Sequence, residues 1–323
     1  MTEGYRAAIE STAIVDRSTT GKVLVSGPDA PKFLTNLSTN DLRDLPLGGG
    51  CETYFLDHKA KTLFAAWAYH VLSDGKHAIW LETTPGRGAK LFAHLDRYLI
   101  SESVELHDVT DRLAQFHLAG PTATATLEAA LADRIPDLAE FQHMERTFGR
   151  NIAASIRRRN LLGTAGYDLL VPVEQKGAIA DLLVAAGAST ATAEDFEILR
   201  IEAGTPTYGP DIDETRFVME LPRVERAVNY AKGCFIGQEP IVMARDRAGF
   251  VNRAFLKLKT DGDPLPPGTK LTRDGQDAGV VTSSTRSPRY GTIALGYIRR
   301  GHQDPGTVLA AGSQSVEVIG SPA

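Results

Sequence analysis

Apolar positions alternate or recur along the chain in ways that predict a succession of short elements. Lys22–Ser26 (KVLVS) alternates β-branched and polar residues and predicts a strand, which Gly27-Pro28-Asp29 ends. Phe33, Leu34 and Leu37 then fall on one face of a helix predicted over 30–37. Cys51–Leu56 and Thr62–Val71 read as strands joined by the polar turn Asp57–Lys61, with Leu63, Ala65, Trp67, Tyr69 and Val71 on one face. Ser73-Asp74-Gly75-Lys76 turns the chain into a strand at His77–Leu81. Leu91, Leu95 and Leu99 then mark the buried stripe of a helix over Pro85–Leu99.

The same layout recurs. Val25–Ala30 (VSGPDA) aligns with Leu118–Ala123 (LAGPTA), and Leu34 with Leu127. Strands at Asn151–Arg158 and Tyr167–Val171 around the Gly163–Gly166 turn, with a helix near Lys176–Ala186, repeat the later part of the first unit. This pattern predicts an internal duplication of strand–turn–helix units. Thr192 and Asp195 read as a capping box for a helix that runs to about Ala203, where Gly204 and Pro206 stop it. Beyond Asn252 come only short strands: Ala254–Lys259, Thr269–Thr272, Gly279–Ser283, Thr292–Ile298 and Ser315–Ile319. Turn pairs such as Asp261-Gly262 and Asp274-Gly275 separate them, which predicts a small all-β barrel or sandwich with a boundary near Val251.

A length of 323 residues suits about two domains, and 42% apolar residues supply a full core. A net charge of −5 argues against a surface built throughout for nucleic acid. Two cysteines cannot make a disulfide framework, no CxxC pair offers a zinc site, and the eight histidines show no HxxxH spacing. The N-terminus lacks the layout of a signal peptide, and no apolar run approaches ~20 residues. The expectation is a cytoplasmic protein with no membrane span and no structural metal.

Candidate chemistry concentrates in four places. In Lys232–Glu239 (KGCFIGQE), two glycines permit an exposed turn around Cys234, and Lys232 two residues away favours its thiolate; the other reading is a buried, inert cysteine. In Phe196–Gly204 (FEILRIEAG), Phe196 and Arg200 are four apart, so an aromatic ring and a guanidinium share a helix face that could hold a flat anion; a core Phe beside a surface Arg is the plainer reading. The continuation Thr205–Glu214 reads as a solvated acidic loop. In Gly163–Pro172 (GTAGYDLLVP), Asp168 opens an apolar strand and could accept adjacent N–H groups of a ring edge, or simply cap its own turn. Finally, Lys232–Lys259 carries six basic residues against Glu239 and Asp246, a segment that could meet phosphate, a polyglutamate tail or RNA, or be an ordinary basic face. Arg157-Arg158-Arg159 reads as charge protecting a strand edge.

At KGCFIGQE the chain resembles the YgfZ-type folate-binding proteins of the glycine-cleavage T-protein (aminomethyltransferase) superfamily, whose signature KGC-aromatic-x-GQE stands here complete. LRIEAGTPTYGPDIDE at Leu199–Glu214, GYDLLVP at Gly166–Pro172 and VVTSSTRSP at Val280–Pro288 are similar to further superfamily segments. The resemblance implies an α+β fold: a folate-binding domain over 1–251 with duplicated halves, roughly 1–110 and 111–251, then a β-barrel domain over 252–323. It implies tetrahydrofolate or a derivative as ligand. Asp168 takes the place of the pterin-contacting Glu, one methylene shorter, and Arg200, Phe196, Tyr167 and Gln238 are further contact candidates. Cys234, supported by Lys232, is the implied reactive centre. The branch is linked to assembly or repair of iron–sulfur clusters, including those of tRNA-methylthiolating enzymes, so iron–sulfur proteins or their assembly machinery are the implied partners. One departure bears on chemistry: Phe64 and Ala65 stand where aminomethyltransferases carry an Asp-Asp pair, which argues against aminomethyl transfer. A folate-dependent one-carbon transferase or demethylase, and an RNA-contacting module using Lys232–Lys259, are the competing readings.

Overall fold

The computed structural model describes residues 1–322. Its chain divides into two compact units, Met1–Tyr54 with Phe64–Phe196 and Arg226–Phe235, and Phe55–Leu63 with Glu197–Glu225 and Ile236–Ala323.

In the first unit, helix α1 (Glu3–Glu10) and strand β1 (Ala13–Asp16) precede two runs of the same plan. The first run is β2 (Gly21–Ser26), α2 (Ala30–Leu37), β3 (Gly50–Leu56), β4 (Thr62–Ser73), β5 (Lys76–Thr83), α3 (Gly88–Asp96) and β6 (Glu105–Asp108). The second is β7 (Leu113–Ala119), α4 (Ala123–Leu131), β8 (His143–Phe148), β9 (Ile152–Arg158), β10 (Gly166–Pro172), α5 (Lys176–Ala185) and β11 (Ser189–Thr190). The first sheet runs β3-β4-β5-β2-β6 and the second β8-β9-β10-β7-β1-β11, the same strand order except that β1 enters between β7 and β11. The duplication predicted from the Gly-Pro breaks is therefore a duplication of topology.

Both breaks exist for the same steric reason. Gly27 has φ +107 and a Cβ there would lie 2.2 Å from the Ser103 carbonyl oxygen; Gly120 has φ +132 and its Cβ would lie 2.3 Å from that of Ser11. Only glycine fits such a turn. Leu34 and Leu127, equivalent in the two runs, are both fully buried. The helix after Gly86 begins at Gly88 and ends at Asp96, shorter at both ends than the apolar stripe suggests.

Helix α6 (Ala193–Ala203) opens with the predicted capping box. Asp195 N donates to Thr192 Oγ1 at 3.1 Å, and Thr192 N donates to Asp195 Oδ2 at 2.9 Å. Gly204, with φ +77, ends the helix. Two short helices follow, α7 (Val224–Ala227) and α8 (Gln238–Val242).

In the second unit, β12 (Arg253–Thr260), β13 (Lys270–Arg273), β14 (Gln276–Ser287), β15 (Gly291–Arg299), β16 (Val308–Ala311) and β17 (Gln314–Gly320) close into a barrel in the order β12-β15-β14-β13-β16-β17. Closure removes the exposed edges that a sandwich of such short strands would leave. Leu256, Leu258, Leu271, Val281, Ile298 and Val316 fill the interior. Among the described residues, no helix is long and apolar enough to cross a membrane.

Candidate functional site

Strand alternation decides which side chains of the first unit meet. On β7, β9 and β10 one phase (Phe116, Leu118, Ile156, Tyr167, Leu169, Val171) packs under α4 and α5 in the main apolar core. The opposite phase carries Gln115, His117, Arg157 and Asp168, and Leu170 of this phase clusters with Tyr69 and Trp80 of the first sheet. The two sheets thus face one another, and charged groups lie buried between them.

Glu82 of β5 is the hub. Arg157 Nη1 donates to its Oε1, Arg159 Nη1 to its Oε2 at 2.8 Å, and Gln115 Nε2 to the same oxygen at 3.4 Å. Arg159 Nη1 also donates to Asp168 Oδ2 at 2.9 Å, and His117 Nδ1 lies 2.8 Å from Asp168 Oδ1. The guanidinium carbons lie over aromatic rings: Arg159 over Trp67 at 3.7 Å, and Arg157 over Tyr69 and Trp80 at 4.4 and 4.9 Å. Lys22, fully buried on β2, donates to the carbonyls of Ser18 and Thr20, and burial lowers its pKa to about 8. Burial alone would raise the Asp168 carboxyl, but Arg159 and His117 outweigh it and hold the group well below its usual range.

This arrangement corrects the reading of Arg157 and Arg159 as edge protection: β9 lies inside its sheet between β8 and β10, and both residues are at most 2% exposed. Glu82, His117 and both arginines were missed. The available signal was a charged residue on the inward phase of an otherwise apolar strand, as in AIWLET and IAASIRR. The cluster is also incompletely paired. Arg159 Nε and Nη2, His117 Nε2 and Gln115 Oε1 are buried without a hydrogen-bond partner among the described residues. Each unmet buried group costs about 1–3 kcal/mol, the condition a bound polar ligand relieves.

The other sequence-derived candidates separate. Tyr167 points away from Asp168 into the helix-side core, where its hydroxyl meets Thr124 Oγ1 at 2.8 Å. Phe196 stacks under the Arg17 guanidinium at 4.2 Å and lies edge-on to His117 at 6.4 Å, so it borders the buried cluster. Arg200 does not share its surroundings. All five of its donors are engaged within the second unit: Nε and Nη2 with Glu197, Nη1 with Asp211 and the Thr205 carbonyl, and Nη2 also with Ser283. Asp211 is fully buried and also accepts from Thr207 N, Thr282 and Ser283, which corrects the expectation of a wholly solvated loop there.

Cys234 is exposed, and Cys51 is half-buried with burial pushing its thiol up to about 12. Lys232 is buried and donates to the carbonyls of Thr35, Ser38 and Asn40 beneath the C-terminal end of α2. Its three donors are engaged there, which leaves none for the Cys234 thiol. Gln238 opens α8 directly after Gly237, whose φ of +84 and a Cβ position 2.6 Å from the Asp57 carbonyl oxygen require glycine; Gly233 has open space around it. Of the basic residues of 232–259, Lys232 is buried, Arg245 pairs with Asp246 and Lys257 bonds the Glu202 carbonyl. Phe64 and Ala65 are buried, Phe64 lying 5.3 Å from the His94 ring. Among the described residues, no group of three His, Cys, Asp or Glu side chains is placed to hold a metal.

A "putative transferase" of the Arabidopsis thaliana chloroplast is 28% identical over 98% of this chain and 72% of its own length. The aminomethyltransferase of Rubrobacter xylanophilus is 27% identical over 91% of this chain and 78% of its own. The crystal structure of glycine cleavage system aminomethyltransferase T from Bartonella henselae has the same fold, with a TM-score of 0.87 at 22% identity, covering 99% of this chain and 88% of that one. The GCVT N-terminal domain model matches residues 1–232 and the glycine cleavage T-protein C-terminal barrel domain model residues 252–319. With both models accounting for nearly the whole chain, the protein belongs to the folate-binding glycine-cleavage T-protein superfamily.

Proposed function

We propose that this chain is a YgfZ-type member of the superfamily: a tetrahydrofolate-binding accessory protein that supports the assembly or repair of iron–sulfur clusters and acts through Cys234. The observation that carries the reading is the complete KGCFIGQE motif, with Cys234 exposed in an irregular stretch that follows buried Lys232. An exposed thiol suits chemistry on a partner better than packing.

The buried cluster offers a fit for the folate head group. Arg159 and His117 carry unmet polar atoms beside Asp168, and a pterin edge presents both N–H donors and acceptor oxygen and nitrogen atoms. When bound, the folate would supply one-carbon chemistry. The protein's part would be to orient the ring through Asp168, Arg159 and His117, with Phe196 alongside. Arg200 and Tyr167 do not fit this role, because their polar groups are engaged elsewhere. The names of the relatives favour a second reading, aminomethyl transfer. Against it, buried Phe64 and Ala65 can supply no carboxylate.

The test is complementation. In a strain deleted for the gene, wild type is expected to restore the activity of iron–sulfur enzymes, and Cys234→Ala is expected to fail. Truncating an exposed cysteine costs under ~1 kcal/mol, so the variant should keep its melting temperature and its tetrahydrofolate affinity by calorimetry. Full complementation by Cys234→Ala would refute the role given to the thiol. Methylenetetrahydrofolate production with the other glycine-cleavage components would favour the transferase reading.

A further inference from the structure

The outer face of β12 and β15 in the second unit is covered along most of its length. Phe255 packs on Tyr297 at 5.2 Å, the Tyr297 hydroxyl donates to the Asp211 carbonyl at 2.9 Å, and Lys257 donates to the Glu202 carbonyl at 2.7 Å. One step along the pair, that face ends in guanidinium groups. Arg253 and Arg299 stand directly opposite each other in the antiparallel register, and Arg300 follows. Like charges in a cross-strand pair destabilise a sheet, and only Arg299 of the two has a carboxylate partner to offset this.

A cleft of ≈ 400 Å³ lies here, lined by Glu220, Asn252, Arg253, Arg299 and Arg300. Arg299 pairs with Asp277 at 2.5 Å, whereas Arg253 and Arg300 make no side-chain hydrogen bond or ion pair among the described residues. The Arg300 guanidinium carbon sits over the exposed ring of Phe250, 3.7 Å from its centre, and the guanidinium N–H groups have no protein acceptor among the described residues. Glu220, the one carboxylate in the lining, is faced by Arg253, Lys61 and Arg216, and Asp277 beside Arg299 also feels Arg253.

We propose that this cleft is a phosphate-binding site, in which Arg253 and Arg300, with Arg299 beside them, grip the oxygens of a phosphoryl group carried by a small ligand. A phosphate suits a cleft lined by three guanidiniums, two of them without a carboxylate partner, better than a carboxylate does. It carries a charge of about −1.5 to −2 and three acceptor oxygens, whereas a carboxylate saturates one arginine fork.

The experiment is calorimetric titration of the full chain with inorganic pyrophosphate at low salt. Binding with a Kd below about 1 mM is expected, weakened about tenfold by Arg253→Gln and by Arg300→Gln. Arg286→Gln, which removes an exposed pair with Asp263 elsewhere on the barrel, should leave it unchanged. Melting temperatures of the variants check that the fold is kept. ATP binding more tightly than pyrophosphate assigns the site to a nucleoside phosphate whose ring uses Phe250; ATP binding no more tightly assigns it to the phosphoryl group alone. The proposal is overturned by no binding at about 5 mM pyrophosphate, by equal affinity in all variants, or by glutarate binding as tightly as pyrophosphate.

Discussion

Arg200→Met separates a structural arginine from a ligand-binding one. The wild-type side chain is 1% exposed, and its Nη1 lies 2.8 Å from Asp211 Oδ2, whose own side chain is fully buried. Burial works against the charged guanidinium, yet the bonds from Glu197 and Asp211 outweigh it and keep its pKa raised. Substituting methionine retains the length and apolar stem but strands the Asp211 carboxylate in the interior with only hydroxyl and amide partners. Breaking one side of a buried ion pair costs about 3–5 kcal/mol. The Glu197 end adds little, because that side chain is half exposed. At ~3 °C per kcal/mol for a unit of this size, the melting temperature should fall by roughly 10 °C. Adding Asp211→Asn to the same variant removes the stranded charge and should recover part of the loss. Differential scanning calorimetry measures both, and tetrahydrofolate affinity taken well below the transition should match wild type. A variant that melts within a degree of wild type but binds tetrahydrofolate many-fold more weakly would show that Arg200 serves the ligand and that this reasoning is wrong.

Acid should loosen the fold through two histidines. Burial, with Arg157 and His70 nearby for His143 and Arg97 for His94, pushes both pKa values down to about 4 from 6.5 in the unfolded chain. Between those values the unfolded chain binds more protons, so stability is complete above pH 6.5 and falls as pH drops toward 4. Melting curves at pH 7 and 5 should show the decline and His143→Gln should flatten it; an unchanged slope in that variant excludes His143. Gly120→Ala should destabilise by more than the ~1 kcal/mol of a simple left-handed penalty, because its Cβ would collide with the Ser11 carbonyl; urea denaturation matching wild type would contradict this.

Local signals carried much of the architecture. Gly27-Pro28 and Gly120-Pro121, followed by helix-spaced leucines, disclosed two runs of one plan, and dense turns after Asn252 disclosed a small β domain. These are properties of neighbouring residues: a backbone that must turn, or an apolar face that must be covered. KGCFIGQE left Cys234 either exposed or buried, and the structure exposes it. Some elements escaped: β8 lacks a clean alternation, β6 and β11 are too short to carry a pattern, and β1 joins the second sheet although it precedes the first. The buried charges lay further out of reach. Glu82 and Arg157 are 75 positions apart, and a charge in an apolar strand does not reveal which partner neutralises it. Arg200 looked from its spacing like half of a ligand-holding pair with Phe196, yet the fold brings Asp211 and Ser283 to its donors. Lys232 looked like an activator of Cys234, yet its ammonium reaches carbonyls nearly 200 positions earlier. Sequence determines where charge is carried and where the backbone turns. Which charges share a dry interior depends on how the two sheets stack, because a buried ion is tolerable only where its partner arrives from another element.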